Sequence, residues 1–286
     1  PIYKNIVVSS ASDIGRQLAN AHSLFNVVNT VLFLPFTSPF AKLIQKIIPN
    51  GHIHDATGPL YLDKKLIGAS STAAVEAVKD ELTHMGAITL NMAALVRRCY
   101  QEENTERLLQ EFAEAEDAVN AINRAISGYA SEIWQKGLSG EVSTVLGCYV
   151  NAAGDLERVG DHFENLTELS ENRLDDGRHF SEQAAEEFWT MYDTVEMALN
   201  HALDSLKYED LGKADYVIKE LEQQIDTQEK QYRKNHIERL NRGECDPEKG
   251  VSFIDILSNL ERIGDHSHNI AFFTHDIVAL SRQPQG

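Results

Sequence analysis

Apolar residues recur along this chain at three- and four-residue steps rather than in alternation, which is the period of a helix buried on one face. From Ser70 onward the steps predict six long helices: roughly 72–100, 103–136 and 141–172, then 181–207, 210–242 and 249–281. Gly137 and Gly140 break the first set, a turn at Asp175-Asp176-Gly177 separates the sets, and Gly243 and Pro247 break the second. Short connections make neighbouring helices antiparallel, so the fold class is all-α, with each set of three closing into a bundle. Val159, Phe163 and Leu166 share the packing arc of the third helix, as Leu260, Ile263 and Ile270 do on the sixth. Met85 and Met191 keep the first helix of each set close to the same register, so the duplication covers whole units.

The polar letters repeat as well. Asp155-Leu-Glu-Arg-Val-Gly-Asp-His-Phe-Glu-Asn-Leu166 returns 104 positions later as Asn259-Leu-Glu-Arg-Ile-Gly-Asp-His-Ser-His-Asn-Ile270. A core does not require that a charged phrase be spelled twice. On a helix Glu157 and Asp161 stand at i and i+4, with Glu164 and Glu168 continuing their stripe away from the packing arc; the second copy runs Glu261, Asp265, His268. Like charges at this spacing cost roughly 0.2–0.5 kcal/mol per pair unless cations compensate them. Arg158 and Arg262 supply part of that compensation, and a metal ion would supply more. Gly160 and Gly264, in mid-helix at about 1 kcal/mol each relative to Ala, predict close approach of another backbone.

Carboxylates from a second helix are needed to surround a hard cation. On the middle helix of the second unit, Asp215, Glu222 and Asp226 form such a face; at an offset of 99 the first unit has Glu116, Asn123 and Ser127, so the second unit is expected to be the better equipped. Oxygen donors with a few histidines suit Mg²⁺, Mn²⁺ or iron better than a thiolate site. The bland reading of the same residues is a solvated charged face on long helices. His162 and His266 point away from the acidic stripe and read as packing or surface residues. No nucleophile elbow, phosphate-binding loop or dinucleotide fingerprint is present, which gives no reason to propose an enzyme.

Charge narrows the partners. The net charge of −18 argues against nucleic acid. Residues 1–50 depart from it, with Lys4, Arg16, Lys42 and Lys46 against Asp13 alone, as a membrane-apposed end would. The apolar run from Ala19 to Phe36 is interrupted by His22, Asn26 and Asn29, and on hydropathy alone a membrane helix and an amphipathic helix packed on the body remain equal readings. Residues 51–69, with Gly58-Pro59, have linker composition, and the repeats occupy 70–178 and 179–286. Cys99, Cys148 and Cys245 are odd in number and lack CxxC spacing, which predicts free thiols in a reducing compartment. A start at Pro1, with no charged-then-apolar leader, reads as that of a fragment.

The duplicated Leu-Glu-Arg-[Val/Ile]-Gly-Asp-His phrases and the preceding Asp215, Glu222, Asp226 pattern resemble the PhoU family of phosphate-signalling proteins over about residues 70–281. The resemblance implies a regulatory helical protein that binds a divalent or trivalent metal through Glu157, Asp161, Glu222, Asp226, Glu261 and Asp265, and the helix faces add Glu164 and Asp215 to the expected set. The N-terminal stretch, Ala19-Asn-Ala-His-Ser-Leu-Phe-Asn26 and Val31-Leu-Phe-Leu-Pro-Phe36, together with Pro59-Leu-Tyr-Leu-Asp63, is similar to the end of the membrane core of bacterial type II sodium-dependent phosphate cotransporters. That implies a symporter's last membrane helix at 1–50 and a cytoplasmic tail, at the inner membrane. Sodium and phosphate would then act at a core outside this chain, and a homodimer is one assembly the resemblance admits. The other reading is a free PhoU-type regulator of phosphate uptake and signalling.

Overall fold

The computed structural model describes residues 9, 13–33, 58–102, 105–175, 180–244 and 247–281, and the chain divides into two compact units, Pro1–Ile53 and His54–Gly286. In the first unit, α1 runs Ile14–Phe33. Asp13 starts it, its carboxylate accepting from the Arg16 amide at 3.0 Å while its carbonyl accepts from the Gln17 amide. At about 1.5 Å per residue α1 has the length of a bilayer's hydrocarbon core, but not the composition. Among the described residues no helix is long and apolar enough to cross a membrane, so the membrane-spanning helix expected within 1–50 is not met there. Residues 1–8, 10–12 and 34–57, which hold the rest of that expectation and the first part of the expected linker, lie outside the described residues, as do Asp176, Gly177 and Cys245.

Among the described residues of the second unit the regular secondary structure is all helical. A short α2 (Lys64–Ala69) precedes α3 (Ser71–Gln101), α4 (Glu106–Trp134) and α5 (Gly140–Asp175). The second set is α6 (Glu182–Tyr208), then α7 (Leu211–Tyr216) continuing through a π turn (Val217–Leu221) into α8 (Glu222–Asn241), then α9 (Pro247–Ser281). Helix starts are capped as their sequences dictate: Ser70 and Ser181 hydroxyls accept from the amides of Ala73 and Ala184, and Asp210 accepts from Gly212 and Lys213. Gly137 (φ 81°) and Gly243 (φ 69°) sit in the left-handed region just beyond helix ends, where other residues are strained.

Six long helices were expected and six are present among the described residues of this unit, each set of three packed as a bundle, and the two bundles share a core. One continuous apolar core runs through both sets, from Leu82 and Phe163 to Phe188 and Phe253, and the most extensive helix contact joins α5 to α9. The seam has a pseudo-twofold logic written in the repeat. His162 Nδ1 lies 2.9 Å from Asn259 Oδ1 and Asn165 donates to the same oxygen; 104 positions on, His266 Nδ1 lies 2.8 Å from Asp155 Oδ1, which also accepts from Asn269. The two imidazoles stack at 5.6 Å between centroids. Both histidines therefore join the repeats, which is why they face away from the acidic stripe. Burial and the neighbouring His266 hold the His162 imidazole below its ordinary value despite the bond to Asn259. Across α3 and α6, Arg97 bridges Asp193 and Glu196 at 2.6 and 2.5 Å, and the Tyr192 hydroxyl donates to the Ala93 carbonyl.

Two further expectations change. The segment read as linker is anchored from its last residues inward: the amides of Leu60 and Tyr61 donate to Glu81 Oε2 at 2.8 and 2.7 Å, and Tyr129 donates to the Asp63 carbonyl. Glu81 is fully buried, and His84 lies 3.0 Å from its other oxygen. A buried carboxylate with three partners fixes the approach of the chain to α3, because losing any of them would leave polar groups unpaired. Gly160 and Gly264 do admit close neighbours, but these are side chains rather than backbone. A Cβ on Gly160 would meet Met92 Cε at 3.4 Å, and one on Gly264 would meet Ile225 Cδ1 at 2.9 Å.

Candidate functional site

The acidic stripes lie on the outer faces of α5 and α9, each beside its middle helix. In the first repeat, Val119 on α4 packs under Gly160 and brings Glu116, one turn earlier, over the stripe. The result is a trio, Glu116, Asp161 and Glu164, one carboxylate oxygen from each lying within 4.8 Å of the other two. Three like charges this close are unfavourable in isolation, and the carboxyl groups register it. Burial, then Glu164 and Asp117, raise the Glu116 carboxyl above its ordinary value, although Asn120 donates to it. Glu164 is raised by burial and then by Glu168 and Asp161. Glu157 is raised by burial and by Asp161, with Arg158 and Arg124 opposing. Such a cluster of oxygen donors is suited to a hard divalent cation, which would offset two of the three negative charges.

The second repeat was expected to be the richer face, and its carboxylates are differently engaged. Asp226 pairs with Lys230 at 2.6 Å and Glu229 with Arg233 at 2.5 Å. Glu261 is raised by burial and by Asp265, with Asp226 and Glu229 also contributing, so Asp226, Glu229, Glu261 and Asp265 do share one acidic region. Among the described residues, however, no trio here closes to the spacing of the first repeat. Where the first stripe has Glu164, the second has His268, whose Nδ1 is buried without a hydrogen-bond partner.

Asp215 is not brought to this region. His275 Nε2 and Lys219 Nζ hold it at 3.0 and 2.9 Å, and His275 lies ten residues, about 15 Å along the helix, from Asp265. The Lys219 bond, with its charge and that of His275, keeps the Asp215 carboxyl below its ordinary value. Distance along the helix makes most of the separation, since Asp215 precedes Glu222 by seven residues, about 10 Å, and the π turn adds a rotation to it. Buried positions step through Phe112, Ala115, Val119 and Ile122 on α4, but through Val217, Leu221, Ile225 and Gln228 on the other middle helix, so the second path has one residue more. One inserted residue rotates everything before it by about 100° relative to Glu222 and Asp226, and breaks the stripe that a regular helix would have made.

The register that packing sets between the middle helices is therefore 106, with Val119 and Ile225 under equivalent glycines, rather than the offset of 99 read from the sequence. At 106, Glu116 matches Glu222 and Asn120 matches Asp226. Glu116 is the site residue that the sequence reading placed opposite Asp215 and so left out of the metal set. The signal that finds it is the apolar residue three positions on, which must pack beneath the repeat's glycine.

Comparison with known proteins follows the same boundaries. The PhoU domain family model matches residues 82–170 and 188–274, one match per repeat. A putative inorganic phosphate export protein YjbB of Salmonella typhimurium is 23% identical over 266 residues, covering 92% of this chain and 47% of that protein. The phosphate-specific transport system accessory protein PhoU homolog 1 of Thermotoga maritima is 26% identical, covering 59% of this chain and 72% of that protein. The chain thus spans about half the length of the export proteins that it matches. Among solved structures, PhoU from Pseudomonas aeruginosa superposes with a TM-score of 0.68 at 21% identity, covering 73% of this chain and 99% of that one. PhoU from Streptococcus pneumoniae gives 0.61 at 17% identity, covering 74% and 97%.

Proposed function

We propose, for a chain that belongs to the PhoU domain family, that it acts as a regulator or accessory protein of inorganic phosphate transport, and that bound metal fixes the geometry of its helical unit. The observation that carries the metal part is the convergence of Glu116, Asp161 and Glu164 from two helices. These three would hold a divalent or trivalent cation such as Mg²⁺, Mn²⁺ or iron, with Glu157 beside them; Glu222, Asp226, Glu261 and Asp265 would form the second, weaker face. The metal would supply positive charge between α4 and α5 and relieve the repulsion that raises the glutamates. Asp215 is left out of the set, because His275 and Lys219 already engage it. No chemical step is assigned to the chain, in keeping with a regulatory rather than enzymatic role.

The transport part rests on the relatives, which are named for phosphate export and for a phosphate transport system. Its test is phosphate flux in host cells carrying the Glu116→Gln/Asp161→Asn variant in place of the native chain. A changed rate of uptake or efflux is expected, and an unchanged rate at equal protein level would refute the regulatory role.

A second reading, the cytoplasmic tail of a sodium-dependent transporter at the inner membrane, has a specific support. The match to the export protein covers 92% of the chain, more than the 217 residues from 70 to 286 can supply, so it reaches into the segment before the repeats. Membrane fractionation of host cells with an antibody to residues 70–286 decides between the two. A membrane-bound species well above 32.0 kDa supports the tail, and a free species near that mass supports a separate regulator.

A further inference from the structure

Away from the acidic faces, a cleft of about 270 Å³ opens where the start of α3, the start of α5, the end of α6 and the end of α9 meet. Its wall is apolar, built from Val75, Val142, Val145, Ile277 and Leu280, and its rim carries Glu76, Glu141 and Glu209. Glu209 sits at the end of α6 in a left-handed conformation (φ 55°) and is paired with Lys79 at 2.6 Å. Glu76 and Glu141 form no ion pair with any described residue, which leaves two uncompensated negative charges over a greasy floor.

Tyr149 also lines this cleft. The residue is only 3% exposed, yet its hydroxyl forms no hydrogen bond with any described residue. The hydroxyl therefore meets the cleft with its hydrogen-bonding capacity unused by the described protein groups. Burial, with Glu209 and Glu76 nearby, pushes this phenol far above its ordinary value, so it stays a neutral hydroxyl able to accept a hydrogen bond from a cation. Two rim carboxylates, an aromatic ring and an apolar wall form the environment that an alkylammonium ion requires. An inorganic metal ion would find no use for the wall, and an anion would be repelled.

We infer that the cleft between the two repeats, lined by Tyr149, Glu76 and Glu141, is a binding site for a primary alkylammonium group. The ammonium sits between the two glutamates and the Tyr149 hydroxyl, and its methylene chain lies against Val75, Val145 and Ile277. A free aliphatic amine and the lysine side chain of a peptide present the same chemistry. The site is separate from the metal faces, and its existence does not depend on the regulatory reading.

Calorimetric titration of the full chain with 1,4-diaminobutane, and separately with an uncharged-backbone lysine derivative such as Nα-acetyl-lysine methylamide, tests it. Saturable binding of either is expected, the first pointing to a free amine and the second to a peptide source. Glu76→Gln/Glu141→Gln should weaken that binding at least tenfold and Tyr149→Phe several-fold. Glu116→Gln, on the metal face, should leave it unchanged. No saturable binding of either probe, or binding lost with Glu116→Gln but kept in the Glu76→Gln/Glu141→Gln variant, overturns the assignment.

Discussion

The two repeats carry nearly the same charged phrase on nearly the same helix face, yet among the described residues one of them closes its carboxylates to a trio and the other does not. In the first, Glu116, Asp161 and Glu164 converge with a neutral Asn120 beside them. In the second, the carboxylates that would complete the face have found partners along their own helix: Asp226 with Lys230, Glu229 with Arg233, Asp215 with Lys219. A motif thus states which face is acidic, and the residues four positions away decide whether that acidity is available to a ligand. Charge count alone ranks the second face first, but it does not register that Asp226 and Glu229 are already paired with cations on their own helix.

The strongest way to break this contrast is to remove two of the three converging ligands. Glu116→Gln/Asp161→Asn should lower Mn²⁺ affinity of the tightest site by about a hundredfold or more, since charged oxygen donors dominate binding of hard cations. The matching pair on the other repeat, Asp226→Asn/Asp265→Asn, should leave that tightest site intact in the same titration.

The glycines of the two phrases give the next largest effect, and with opposite signs. Gly160→Ala places its Cβ at ordinary contact distance from the flexible end of Met92 and gains helix propensity, so stability should rise by up to about 1 kcal/mol. Gly264→Ala drives its Cβ against the branched Ile225 at 2.9 and 3.1 Å, and overpacking at about 1–3 kcal/mol should outweigh the same gain. Chemical denaturation of the two variants side by side reads the difference. Equal effects would mean that the repeats pack alike at this point.

A smaller test sharpens the electrostatic half of the comparison. Lys230→Met frees Asp226 from an exposed ion pair of a kind worth roughly 0.2–1 kcal/mol, so metal affinity at the second repeat should rise about two- to fivefold. Smallest is the pH dependence. Glu116, Glu157, Glu164 and Glu261 all have raised carboxyl values, so each binds its proton more tightly in the folded state. Their contribution to stability is present below the ordinary carboxylate range and is lost as pH rises through the raised values. Melting of the chelator-treated protein should therefore fall with pH more steeply in the native chain than in the Glu116→Gln variant. Added Mn²⁺ should remove the difference.

Much of the fold was readable from the chain because helical periodicity is a local property. All six long helices stand within a few residues of where Val159, Phe163, Leu166 and their equivalents predict them, and Gly137 and Gly243 end helices as glycines do. The π turn was not readable, since one inserted residue at Val217–Leu221 leaves no mark in composition, and it turns Asp215 further from a face that distance along the helix already put out of reach. Glu116 stayed hidden for a related reason: its place depends on how Val119 packs beneath Gly160 in three dimensions. Glu81 was legible in retrospect, as a carboxylate on the same arc as Val78 and Met85, where only a buried partner could justify it. The sharing of one core by two bundles was not, because the histidines that stitch the seam, His162 and His266, read individually as packing or surface residues with no partner named.

The measurement that reaches the central claim most directly is anomalous scattering from crystals of the full chain grown with Mn²⁺. The account predicts the strongest peak between Glu116, Asp161 and Glu164, with a weaker one or none beside Glu261 and Asp265. A dominant peak on the second repeat, or none at the first, would contradict it.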